Sequence, residues 1–215
     1  MNLVNSLFRF SAADGGFSSW AWRWPALAWG FAEATFFFIV PDVFLTYIAL
    51  KDWRQATRAC FWTLGGALIG GAVMYAWGAL DMDSAEDFLE TVPAVNYDML
   101  KLIESQVESD GSQASLSGRV TGPYKIYGAY AGATGVNLFT FLLISIPARL
   151  LVFLLTTWFF AAVFNFHFVY RSFDFQSPLK KLSPRGRMIL LSVLWIAFYS
   201  WYFTVEPLPL ERFRQ

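Results

Sequence analysis

Residues 25–50 read PALAWGFAEATFFFIVPDVFLTYIAL, an apolar run broken by Glu33 and then by the adjacent Pro41 and Asp42. At a rise of about 1.5 Å per residue the run exceeds one bilayer crossing and is too short for two. Its proline also sits where a spanning helix should be intact. The stretch therefore reads as a helix, a break and a return: a re-entrant hairpin over 20–50 that turns near Pro41. A broken helix is tolerated at membrane depth only where its freed backbone groups face protein or a water-filled cavity. An acid placed there is expensive enough to imply a use. Glu33 and Asp42 are accordingly the first candidate site residues.

Composition supports a membrane setting. The 215 residues are 56% hydrophobic and 20% aromatic, with 10 Trp and 23 Phe, beyond the usage of an ordinary soluble domain. Sixteen basic residues balance sixteen acidic ones, so there is no cationic stripe to neutralise phosphates and nucleic acid is not expected as a partner. With one cysteine, Cys60, and one histidine, His167, neither a disulfide framework nor a His/Cys zinc site is expected within one copy. No metal and no other cofactor is called for. No cleaved leader is read in residues 1–19. Leu3, Leu7, Phe8 and Phe10 are expected to lie in the interface on the cytoplasmic side.

Further segments follow. Residues 56–80 are long enough to span, and Gly65, Gly66, Gly70 and Gly71 form a GGxxxGG core expected to give a neighbouring helix a small-residue face. Over 81–120 the hydropathy collapses and acids dominate, which reads as an extracytoplasmic linker. Within it Val95, Met99, Leu102, Ile103 and Val107 are spaced as on a surface helix. Residues 121–136, with Pro123 and Lys125 near the start, are too short and glycine-rich to cross and read as a second re-entrant hairpin. Gly128, Gly132 and Gly135 are expected to let it turn. A second span over 137–166 carries Pro147 and Arg149 near its middle, predicting a kinked helix with a cation at membrane depth. Residues 187–205 are a plain last crossing. Trp20, Trp22, Trp24 and Trp29 read as an interfacial belt, and Cys60 as a small packing residue.

Lys and Arg are retained on the cytoplasmic side, so Lys51, Arg54 and Arg58, and then Arg171, Lys180, Lys181, Arg185 and Arg187, mark two cytoplasmic loops. The acidic linker falls outside, the N-terminus inside and the C-terminus outside. The expected fold is all-α and integral to the membrane: an inverted repeat of two re-entrant helical hairpins, each followed by a transmembrane helix, plus a C-terminal transmembrane helix. Paired interrupted segments in inverted repeats place a substrate site near the bilayer midplane.

Three segments carry a family resemblance: FAEATFFFIVPDVFL (31–45), GGALIGGAVMYAWG (65–78) and GPYKIYGAYAGATGVNLFTFLLISIPARLLVF (122–153). In this order they resemble the DedA, or SNARE-associated, membrane proteins with the VTT domain, and among them the short YqaA-like branch. The resemblance implies two opposed re-entrant hairpins, residence in the bacterial inner membrane, and transbilayer movement of lipids. The lipid would be undecaprenyl phosphate in bacterial members and phospholipid in eukaryotic relatives. It carries the family's acids onto Glu33 and Asp42 and its cations onto Lys125 and Arg149. The chain departs from the larger branch in a shorter Glu-to-Asp spacing, in Lys125 where arginine is usual, and in Val152 where a second arginine is usual.

An acid or base at the centre of a membrane helix costs about 2.5–3.5 kcal/mol, so Glu33, Asp42, Lys125 and Arg149 together would cost roughly 10 kcal/mol if unpaired. Pairing or hydration is required. One account is a pair of structural salt bridges. The other is that Lys125 and Arg149 attract a lipid phosphate while Glu33 or Asp42 takes up a proton. The leading expectation is a non-enzymatic, proton-coupled transporter of an anionic lipid, with Pro41, Pro123, Gly65, Gly70 and Gly132 shaping and packing its hairpins. Its rivals are a proton- or cation-coupled exporter of small solutes and a membrane assembly factor that transports nothing. A second copy of the chain is an admissible partner. The residues hold no Ser/His, Cys/His or metal-ligand pattern that would define a reaction.

Overall fold

The computed structural model describes residues 21–93, 95–114, 122–164 and 182–205, and every described element is helical. In chain order these are α1 (Arg23–Glu33), α2 (Asp42–Ala49), α3 (Trp53–Leu80), α4 (Met82–Thr91), α5 (Tyr97–Asp110) with a 3-10 turn after it (Gly111–Gln113), α6 (Tyr124–Ala133), α7 (Leu138–Phe164) and α8 (Pro184–Val205). Three of them are long and apolar enough to cross a membrane: Trp53–Leu80, Leu138–Phe164 and Pro184–Thr204. The interfacial turn at Leu3, Leu7, Phe8 and Phe10, Trp20, His167, the basic residues Arg171, Lys180 and Lys181, and the tail 206–215 lie outside the described residues.

Local chemistry sets the helix boundaries. Asp52 opens α3 by accepting from the backbone N–H of Arg54 (2.8 Å) and Gln55 (3.2 Å). Asp81 both ends α3 and caps α4 by accepting from the N–H of Ser84, and Asn96 caps α5 through the N–H of Met99 at 2.7 Å. Pro41, with φ −62°, starts α2, as a residue without an N–H can. Between Glu33 and Asp42 the chain is non-helical. That is the break expected near Pro41, and it starts earlier, just after the buried acid. Over 122–136 the described chain holds one helix, α6, and a turn at Gly135 (φ +72°) that leads directly into α7. α7 runs uninterrupted through Pro147.

The core is built around α3. Its N-terminal half packs against α1 and its C-terminal half against α6, in both cases backbone to backbone. A side chain on Gly30 would strike the Thr63 carbonyl, and one on Gly66 the Leu27 carbonyl. Further along, Gly78 abuts the Ala129 carbonyl and Gly132 the Tyr75 carbonyl. This corrects the expectation of one four-glycine face. Successive residues on a helix are rotated by about 100°, so Gly66 and Gly70 face α1 and Gly71 faces Tyr124 of α6. Gly65 meets nothing within 4 Å. Gly128 and Gly132 lie inside α6 and serve close packing against α3, so of the three hairpin glycines only Gly135 makes the turn.

The acidic linker is more structured than expected. α5 buries Leu100, Ile103 and Val107, while Leu102, expected on its inner face, is 49% exposed. The apolar stripe is thus rotated by one position. α5 covers α6 rather than lying free, and Tyr127 donates to Gln106 across that contact at 2.8 Å. α8 stands at the edge: among its described residues only Leu191 is buried, while Ile189, Ile196 and Trp201 are each more than 60% exposed.

Candidate functional site

The break after Glu33 leaves backbone groups without helical partners, and side chains from three directions take them up. Lys125, at the start of α6, donates its ammonium to the Phe37 carbonyl at 2.8 Å. Trp29 donates Nε1 to the Ile39 carbonyl at 3.0 Å and stacks on Phe44. The Val40 N–H donates to the Tyr199 hydroxyl of α8 at 2.8 Å, across 159 residues of sequence. Buried backbone polar groups must be paired somewhere, and here non-local side chains do it. Trp29, expected in an interfacial belt, ties α1 to the non-helical stretch through its bond to the Ile39 carbonyl. Trp22 is 2% exposed and donates to Gln55 at 3.0 Å, whereas Trp24 is 67% exposed.

Glu33 ends α1 directly opposite Arg149 of α7. The two form a buried ion pair through Oε2 and Nη2, with side chains 7% and 10% exposed. Arg149 is also held between two rings, its guanidinium 4.9 Å from the Tyr124 centroid and 5.1 Å from that of Phe153. Its Nε is buried without a hydrogen-bond partner among the described residues. Lys125 is 1% exposed, and the Phe37 carbonyl takes up one of its three N–H donors.

Glu33, Lys125 and Arg149 all line one cavity of about 530 Å³. Its lining is otherwise largely aromatic, from Trp195, Phe198, Tyr199 and Tyr202 of α8 with Phe160 of α7 and Phe37 and Phe38, and it includes Pro41 and Pro123. Such a lining joins charged groups to apolar rings with phenol tips, which suits an amphiphile with an anionic end. Asp42 is not among the lining residues. It is fully buried in the first turn of α2. Cys60 is buried, as expected of a packing residue, with Thr157 at 3.4 Å from its sulfur. Three of the four sequence-derived charges therefore line one cavity, and Asp42 is not in its lining. No group of three or more His, Cys, Asp or Glu able to hold a metal occurs among the described residues.

Tyr199, Trp195 and the Tyr124–Phe153 clamp were not singled out from sequence. A tyrosine at membrane depth is a weak signal, and nothing local identifies a partner in a distant break. The Tyr199 contact can be weighed directly. Tyr199→Phe leaves the Val40 N–H without its acceptor, and a lowered thermal stability in detergent, by about 1–3 kcal/mol, is expected.

No family model matches the chain, and no solved structure matches it. An uncharacterized protein of Haemophilus influenzae is 28% identical over 125 residues, covering 58% of this chain and 65% of that protein.

Proposed function

We propose that the chain moves an anionic lipid across the bilayer without chemical change, with a proton as the coupling ion. The observation that carries this reading is the cavity that Glu33, Lys125 and Arg149 line together with the aromatic residues of α8. A charged headgroup cannot cross hydrocarbon unaided. A slot lined by cations and aromatic rings lets the headgroup pass while its tail stays in apolar surroundings. A potential of about 100 mV is worth about 2.3 kcal/mol for each charge moved, enough to bias a singly charged headgroup.

The architecture in this reading is two re-entrant arms in an inverted repeat, set in a bacterial inner membrane, as in the DedA-like proteins that the three sequence segments resemble. Supporting it, α1 and α2 are each too short to cross, as is α6. α1 runs alongside α3 in the same direction, Gly30 beside Thr63 and Ala34 beside Gly70. The charged residues that meet come from the ends of α1 and α6 and from the central third of α7. Lys51, Arg54 and Arg58 remain the argument for a cytoplasmic start of α3.

Orientation has a direct test. Ser105 and Ser183 are exposed and Cys60 is buried, so Ser105→Cys and Ser183→Cys are each readable against a quiet background. They are expected to label from opposite faces of the membrane, and labelling from one face would end the inverted arrangement. Function is tested by reconstitution: vesicles containing the protein should exchange a fluorescent-chain phosphatidylglycerol between leaflets faster than protein-free vesicles, with the rate changed by a pH gradient. No acceleration would sink the proposal.

The closed ion pair favours one rival, a structural role in which the charges only tie α1 to α7. In that case the swap Glu33→Arg with Arg149→Glu would restore function, because the bond is kept and only its polarity is reversed. A solute exporter would instead show solute-driven pH changes in vesicles with no lipid movement.

A further inference from the structure

We propose that Glu33 sets the charge of the accepted ligand, so that the cavity takes a singly charged phosphodiester in preference to a doubly charged phosphomonoester. The inference rests on reading the cavity as an anion site. Its argument is a charge count. Among the described lining residues the ionisable groups are Glu33, Lys125, Arg149, Tyr199 and Tyr202. With phenols neutral, two cations and one carboxylate leave a net charge of plus one.

No other ionisable residue is among the described residues that line the cavity. α7 carries no other charged residue, and the charged residues of α8 are Arg185 and Arg187, both in its first turn. In a site walled off from water, uncompensated charge is costly, so the preferred occupant is the one that brings the sum to zero. A phosphodiester carries about one negative charge and a phosphomonoester about 1.5 to 2 at neutral pH.

Glu33 does more than reduce the count. It engages Nη2 of the Arg149 guanidinium, while Nε, buried and without a hydrogen-bond partner among the described residues, is left for a ligand oxygen. An arriving phosphate therefore meets a carboxylate of its own sign at close range, and a second negative charge is opposed twice, by the sum and by the neighbour. Glu33→Gln keeps an acceptor for Arg149 and removes both effects. The net charge becomes plus two, and the preference should turn toward the monoester.

The matched probes are phosphatidylmethanol and phosphatidic acid of identical acyl chains, which differ by one methyl ester, with the corresponding diacylglycerol as the uncharged reference. Competition for the purified full-length chain, read by native mass spectrometry at pH 7, should favour phosphatidylmethanol by about tenfold in the wild type. The order should reverse in Glu33→Gln and persist in Glu33→Asp. Equal binding, a wild type that prefers phosphatidic acid, or a folded Glu33→Gln that keeps the wild-type order would overturn the inference while leaving the anion site standing. Neither anion exceeding diacylglycerol would instead remove the anion site itself. If Glu33→Gln does not fold, the wild-type order alone decides.

Discussion

Arg149→Ala is expected to abolish lipid translocation and also to cost the folded protein about 3–5 kcal/mol, because it strands Glu33 in the interior without its counter-charge. The two losses have different origins and can be separated. Replacing both partners by apolar residues of similar volume, Glu33→Leu with Arg149→Met, removes the stranded charge, and swaps of this kind are often neutral or stabilising. The double variant should therefore unfold in detergent near the wild-type temperature and still fail to exchange lipid between leaflets. Lys125 would remain in place, held to the Phe37 carbonyl, so loss of transport could not be laid to collapse of the break. Wild-type exchange by the double variant would mean that the pair is a fastener and that the cavity works without it. A double variant as unstable as the single one would mean that the cost lies in lost packing of the guanidinium between Tyr124 and Phe153.

Gly78→Leu carries the largest expected effect on folding itself. The residue sits where α3 and α6 touch backbone to backbone, and any Cβ there overlaps the Ala129 carbonyl. Gly132 makes the reciprocal contact on Tyr75, so the two helices cannot shift to relieve one clash without opening the other. Backbone cannot rotate away as a flexible side chain would. A cost on the order of 4 kcal/mol or more is expected, beyond ordinary overpacking. It should appear as loss of the monodisperse peak in detergent and loss of protein from the membrane fraction. Gly65→Ala is the control, since that position meets nothing within 4 Å and alanine is the better helix former. Equal tolerance of both substitutions would refute the close crossing.

These outcomes divide along the same line as the reading of the chain. Three long apolar helices, the interruption between Glu33 and Pro41, and the burial of Glu33, Lys125 and Arg149 were legible beforehand. Each rests on local hydropathy or on the cost of placing a charge in lipid, and those quantities are properties of the residues themselves. Which small residues pack on which helix was not legible. A glycine pair states that a close approach is possible, while the rotation of α3 decides that Gly66 meets α1, Gly71 meets α6 and Gly65 meets neither.

Hydropathy and charge in the chain alone thus established an all-helical membrane protein with costly ionisable groups in interrupted segments, because solvation energy is counted residue by residue. Only the tertiary structure decided that Arg149 takes Glu33 as its partner, that Asp42 is left out of the cavity's lining, and that Tyr199 closes the break from α8. Pairing depends on distances between residues far apart in sequence, and no local pattern encodes them. The cavity exists for the same reason: its charged residues come from α1, α6 and α7 and most of its aromatic ones from α8, and they meet only once the chain has folded.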